Sequence, residues 1–381
     1  MRSARMVVAA VGVVVALGAC GSQAGEASPE AVAGGPPTTL LTTIPLTAGV
    51  AGQPAVLPDG SAIYMPTVDG SVAVIDTTTQ RVTATVAVGE GLGSPAVLPD
   101  GSSVYVPTGT ESVSVIDTAS HKVTDTIPVG EVLGSQAPVV TPDGSAIYVP
   151  TSLDTMSVID TASNTVKGTI PVRDPADDMG GDVAMLPDGS AVYVINRRSA
   201  TITVIDTATD TVKTTISTGA YMNYPVVRPD GSALYVPGDG GLLVIDTASN
   251  KVRTTIPVAD LTEPVVLPDG SALYGVKGAA VQVIDTATDK VTATVPVGGQ
   301  PWAPVVLPDG SAIYVPDGDA GTMSVIDTAT NTVTDTITVG EYPAPVALPD
   351  GSAVYVAVGG PEQGAVKVLG AGTGASESPA S

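Results

Sequence analysis

The chain has 381 residues but one histidine and one cysteine, so the usual catalytic side chains are scarce. His121 stands alone, which leaves no second imidazole or thiolate to complete a zinc or haem site and no partner set for a Ser-His-Asp triad. No Gly-x-Ser-x-Gly elbow occurs. Gly89-Glu90-Gly91-Leu92-Gly93 reads as a loop rather than the opening of a helix, so it does not carry a dinucleotide reading. Carboxylates are plentiful. Asp174, Asp177, Asp178 and Asp182 lie close together and offer oxygen ligands of the kind Ca²⁺ takes. Their spacing is not that of an EF-hand, and a solvated acidic loop is the other reading. Seven further aspartates belong to the repeated string Val-Ile-Asp-Thr and end the third β-prone run of each unit, at Asp76, Asp117, Asp160, Asp206, Asp246, Asp285 and Asp327. A catalytic acid is needed once, whereas a turn is needed in every unit, so these seven are expected to cap turns with their side chains.

The side chains with most binding potential are those that do not repeat. They are Trp302 (the only tryptophan), Tyr221, Tyr224 and Tyr342, with Arg173, Arg197, Arg198 and Glu341 among the charges beside them. Glu90, Glu131 and Glu263 occupy similar connections. Aromatic and charged groups around a concave opening suit a sugar, a peptide or a protein loop.

What must position them is a repeat of about forty residues. Pro-Asp-Gly begins at Pro58, Pro99, Pro142, Pro187, Pro229, Pro268, Pro308 and Pro349. Proline presets φ, aspartate caps, and glycine accepts positive φ, so each copy is a tight turn. In one unit, Ala137 to Val140 leads into the turn and Ala146 to Val149 follows it. Ser157 to Asp160 is a third β-prone run, and Val166 to Val172 reads as a fourth. Four short strands, A to D, with no room for a helix describe a propeller blade. Eight tyrosines share one place in strand B, from Tyr64 to Tyr355, which argues for packing rather than a binding cage. Phenylalanine is absent, so the core must be aliphatic. Pro45, Pro128, Pro171, Pro257 and Pro296 are expected in the middle of D strands, as edge strands tolerate.

The eighth unit stops after Val366-Lys367-Val368-Leu369 and lacks its D strand. Thr42-Thr43-Ile44-Pro45-Leu46, near the start, matches the D strand Thr254 to Val258. The expected fold is therefore all-β: an eight-bladed β-propeller of four-stranded blades, its ring closed by the N-terminal strand. Seven blades with an unusual cap is the alternative.

Arg2 and Arg5 precede an apolar run from Met6 to Ala19, too short to span a membrane and of signal-peptide length. It ends in Leu17-Gly18-Ala19-Cys20, similar to a bacterial lipobox. Residues 1–19 then form a signal peptide, and Cys20 carries a lipid such as palmitate. Residues 20–38 are a flexible tether, 39–369 the propeller, and 370–381 a disordered tail. The lone cysteine permits no intrachain disulfide. A net charge of −23 repels phosphate backbones and argues against nucleic acid as a partner.

The unit Pro-Asp-Gly-Ser-Ala-x-Tyr-Val-Pro…Val-Ile-Asp-Thr-Ala-Thr resembles the Tyr-Val-Thr-Asn family of β-propeller repeats over residues 40–369. Tyr-Val-Pro replaces Tyr-Val-Thr in most units, and Tyr193-Val194-Ile195-Asn196 comes nearest to keeping the asparagine. The resemblance implies a cell-surface or envelope protein, and a likeness to lactonase-type and quinoprotein-type propellers. Many relatives have seven blades, and the family carries no shared catalytic motif to these residues. The leading expectation is a monomeric, lipid-anchored, extracytoplasmic scaffold that binds an envelope protein, peptide or glycan, without catalysis or cofactor. The alternatives are a lactonase-like hydrolase with a carboxylate or metal site, Ca²⁺ included, and a structural surface-layer part. A quinoprotein ranks lower, because a single tryptophan leaves little for repeated cofactor-docking motifs.

Overall fold

The computed structural model describes residues 35–371, apart from 110, 131–136, 152–154, 173–181, 198, 220, 223 and 361–362. These residues contain no helix. They form eight four-stranded antiparallel sheets, arranged as the blades of an eight-bladed β-propeller. Blade 1 is typical: strand A Ala55–Val56, B Ala62–Pro66, C Ser71–Asp76 and D Arg81–Ala87, paired in that order. Blade 8 takes A (Ala344–Ala347), B (Ala353–Val358) and C (Ala365–Gly370) from the end of the chain, and D (Thr39–Pro45) from its beginning. Thr43 pairs with Lys367 and Thr39 with Gly370, so the terminal strand closes the ring. The closure starts before strand D: the Tyr314 hydroxyl of blade 7 donates to the carbonyl of buried Pro37 at 2.8 Å.

Both repeated turns work as their residues predict. In blade 1, Gly60 sits at φ 72° while the Ser61 amide and hydroxyl donate to Asp59 Oδ1. At the C–D turn, Thr79 donates twice to Asp76 Oδ1. These hydrogen bonds favour the ionised acid and hold the carboxyls of Asp59 and Asp76 below the usual range. Thr77, next to Asp76, donates its hydroxyl to the Gly60 carbonyl, tying one turn to the other. The same threonine–glycine bond recurs in the following six blades, as at Thr118 with Gly101 and Thr328 with Gly310.

The core lies between blades. Eight aliphatic clusters each join one blade to the next. One packs Tyr64, Val72 and Val74 of blade 1 on Val104, Val106 and Ile116 of blade 2. Another packs Ile44, Tyr355 and Val368 of blade 8 on Ile63 and Ile75 of blade 1. At roughly 1.5–3 kcal/mol for each fully buried aliphatic side chain, these seams are the main source of cohesion. The eight strand-B tyrosines are at most 1 % exposed and lie in the seams.

Two local expectations differ from the structure. Strand A is shorter than its apolar run: Val139–Val140, not Ala137 to Val140, because Pro138 lacks the N–H that would extend the pairing. The D-strand prolines are not central. Pro45, Pro128, Pro171 and Pro296 are the last residues of their strands and Pro257 follows its strand, where the chain turns toward the next blade.

Candidate functional site

The D-to-A and B-to-C connections share one face and bind each other. Val68 N donates to Gly49 O, Gly109 N to Glu90 O, Asp239 N to Tyr221 O, and Gly359 N to Glu341 O. The opposite face holds the repeated turns. A cavity of about 340 Å³ opens on that turn face beside Asp188 and Asp230. Its carboxylates are already engaged by Ser190 and Ser232, as in other blades, so it repeats structure rather than adding chemistry. The varied face carries two groups of non-repeating side chains.

The first spans blades 4 to 6. Asp182 enters strand A of blade 4 and is buried (5 % exposed). Its Oδ2 accepts from Arg197 Nη2 at 2.8 Å and from the Tyr224 amide at 2.9 Å. Arg197 sits in the B–C connection of blade 4, with Tyr221 and Tyr224 in the loop entering blade 5. Tyr224 has φ 47°, a left-handed conformation that brings its N–H onto Asp182. Burial, with the charges of Glu263 and Asp182, pushes the Tyr224 phenol up to about 12. Glu263 belongs to strand A of blade 6 (Thr262–Val266), at φ 49° within a break of register between Thr262 and Val265. Its Oε2 is buried and has no hydrogen-bond partner among the described residues; neither has Arg197 Nε. Burial and the nearby Asp182 push the Glu263 carboxyl up to about 7. A carboxyl so placed can exchange its proton near neutrality. Tyr221 also lines a cavity of about 190 Å³ with Gly238, Asp239, Asp260 and Thr262.

The second group joins blades 7 and 8. Trp302 and Tyr342 stack with ring centroids 5.9 Å apart and planes at 29°. The Trp302 amide donates to the Pro316 carbonyl at 2.8 Å. A Cβ at Gly318 would overlap the indole ring, so glycine there lets the ring lie against the chain. Buried Asp317 accepts backbone amides from Gln300, Asp319 and Ala320, which fixes the loops beneath. Tyr342, at φ 52°, is 55 % exposed, and Glu341 beside it is exposed too. The result is a flat aromatic surface open to solvent on a fixed base.

The predicted residues thus divide. Trp302, Tyr342 and Glu341 come together, and so do Arg197, Tyr221, Tyr224 and Asp182. Arg173, Arg198, Asp174, Asp177, Asp178, Glu131 and Cys20 lie outside the described residues. Asp182 is occupied by an arginine. Among the described residues no three His, Cys, Asp or Glu side chains converge as a metal site. Glu263 is the residue whose part the sequence reading missed. The signal was available: counting back five residues from each Pro of Pro-Asp-Gly gives Gln53, Ser94, Ala137, Asp182, Tyr224, Glu263, Ala303 and Ala344. Asp182, Tyr224 and Glu263 are one repeat position in three successive blades.

Fold and site together define an eight-bladed β-propeller with one varied loop face and one face of repeated turns. No family model matches the chain, and no curated protein matches it. Among solved structures it is similar to hydrazine synthase from Kuenenia stuttgartiensis, at 23 % identity and TM-score 0.58, over 85 % of this chain and 97 % of that one. It is also similar to the dihydro-heme d1 dehydrogenase NirN in complex with DHE, at 18 % identity and TM-score 0.71, over 83 % of this chain and 72 % of that one. At these identities the likeness is one of fold.

Proposed function

We propose that this chain is a lipid-anchored β-propeller of the bacterial envelope that binds a protein, peptide or glycan through its loop face and performs no catalysis. In this reading it is a divergent member of the Tyr-Val-Thr-Asn repeat family, exported by residues 1–19 and anchored at Cys20. The observation that carries the binding role is the Trp302–Tyr342 stack. Exposed aromatic surface on a rigid base loses little entropy on binding and is the composition of interaction hot spots. A sheet-built ring supports it from below, as binding loops on stable scaffolds require.

The test is affinity capture from a detergent-solubilised envelope extract, with the parent chain and a Trp302→Ala/Tyr342→Ala variant as baits. A partner retained by the parent and lost by the variant is the expected result. Equal retention by both baits, or none by either, removes the aromatic surface as the binding site.

A further inference from the structure

Trp302 and Tyr342 lie in a stretch of one-sided charge. From residue 291 to residue 366 the sequence holds eight acidic residues and no lysine, arginine or histidine. That stretch builds all of blade 7 and strands A and B of blade 8. Two of its acids flank the rings. Glu341 immediately precedes Tyr342, and Asp319 immediately follows Gly318, the residue against which the indole lies. Both are exposed. The loops that carry them are joined. The Gly321 carbonyl accepts from the Val339 and Gly340 amides, and Gly321 lies against the backbone of Gly340 and Glu341. Among the described residues neither carboxylate has a basic partner. The same sign continues around the loop face. Asp69, Glu90, Glu111, Asp239 and Asp260 are exposed there, while the described bases on that face are Lys277 and Arg197, the latter taken by Asp182.

We propose that the occupant of the Trp302–Tyr342 surface is a basic polypeptide segment, with an arginine laid on the rings and further basic residues over the acids of the loop face. The inference rests on the reading of the rings as a binding surface and adds what they bind. An aromatic face attracts a cation, and a guanidinium also stacks flat on it. Carboxylates on the same loops accept its N–H groups in charge-assisted hydrogen bonds. The wider field draws a positive chain toward this face and repels acidic proteins and anionic polymers. A neutral glycan would use the rings and gain nothing from that field.

Trp302 is the only tryptophan, so its fluorescence reports directly on this surface. The probe is a capped octapeptide of alternating arginine and glycine, titrated into the full chain. Its controls are the same peptide with glutamine for arginine, and chitohexaose as a neutral glycan. The arginine peptide should change the Trp302 emission, and neither control should. Its binding should weaken as salt rises from about 50 to about 300 mM. Asp319→Asn/Glu341→Gln removes two exposed charges and should weaken it by about fivefold. Calorimetry on Trp302→Ala/Tyr342→Ala should show its binding lost. If that variant fails to fold, the exposed-acid variant and the salt dependence still decide. Arginine-peptide binding that persists unchanged without the rings overturns the proposal, as does binding indifferent to salt and to the two acids. Chitohexaose binding in place of the arginine peptide also overturns it, yet leaves the rings standing as a binding surface. If neither compound binds, the basic-segment inference falls: alone where envelope capture still depends on the rings, and together with the surface reading where it does not.

Discussion

The strand-B tyrosine makes separate blades act as one body. Its ring packs in a seam, and its hydroxyl reaches the next blade's C–D turn. Tyr105 donates to Asn164, Tyr193 to Asn250, Tyr274 to Asn331 and Tyr148 to Asp210, while Tyr64 pairs with His121 Nδ1 at 3.1 Å. The acceptors share left-handed backbone, φ 51–54°, the conformation Asn and Asp tolerate best. The lone histidine is thus a turn residue that also serves as a staple. Tyr235 is the exception. Asp289, its expected partner, is gripped by Arg253 Nη2 at 2.8 and 2.9 Å, and the Tyr235 hydroxyl is buried without a hydrogen-bond partner among the described residues. Two substitutions that remove the same atom should therefore differ. Tyr193→Phe breaks a bond and should cost about 1 kcal/mol, whereas Tyr235→Phe relieves an unmade one and should be neutral or stabilising. Urea unfolding midpoints measure both, and equal losses would refute the staple. The tyrosines were legible as packing from their spacing alone. Their partners were not, because those five lie 57–62 residues away across a blade boundary, and those of Tyr314 and Tyr355 lie 277 and 278 residues away. Glu263 was hidden for another reason: its meaning depends on Asp182 and Tyr224, and appears only when the blades are aligned.

At the scale of elements, the outer strands show how a ring of exposed edges avoids pairing with other chains. Each D strand shifts register against C: in blade 1, Val74 faces Ala84 and Ile75 faces Val82, leaving Thr83 as an extra residue. Bulges twist an edge away from further pairing, and terminal prolines add to the effect. The extra residue is Thr83, Thr124, Thr292 or Thr334 in four blades, and each donates its hydroxyl to a strand-C carbonyl. In two others it is Lys167 or Arg253, which pairs with Asp210 or Asp289 of the following blade. In blade 8 it is Leu41, between Leu40 and Thr42, 52 % exposed and with no polar group to offer. Leu41→Thr supplies the missing hydroxyl opposite the Val368 carbonyl. It should raise stability by about 0.5–1 kcal/mol, a rise of roughly 1–3 °C in Tm. An unchanged or lower Tm would mean that the closing strand does not follow the rule of the others. The four-strand pattern, the turns and the closing strand were all readable from repeated side chains. The bulges were not, since a Thr-rich alternating run shows no sign of where one residue drops out of register.

At the scale of the whole molecule, closure makes the seams interdependent, because no blade can leave without opening two of them. Tyr355 of blade 8 donates to the Thr77 carbonyl of blade 1, and Tyr314 of blade 7 to Pro37, so the staples cross the point where the chain ends meet. This coupling has a pH signature. Burial, reinforced by nearby aspartates, pushes Tyr64, Tyr105, Tyr193, Tyr274 and Tyr355 from 10.0 up to about 12. Tyr148, Tyr235 and Tyr314 are raised by the same cause. A raised pKa means that the folded state holds the neutral phenol. The stabilisation is complete below about pH 10, where both states are protonated, and is lost as pH climbs from there toward the folded value. Ionising one buried phenol removes a donor from one seam, and closure passes the loss to its neighbours. The eight phenols should therefore ionise together, above about pH 10, in one step that coincides with loss of β-sheet circular dichroism. Ultraviolet phenolate absorbance followed beside the dichroism is the measurement. Blades that ionised one after another, with sheet signal persisting between steps, would describe eight loosely joined units rather than a closed ring.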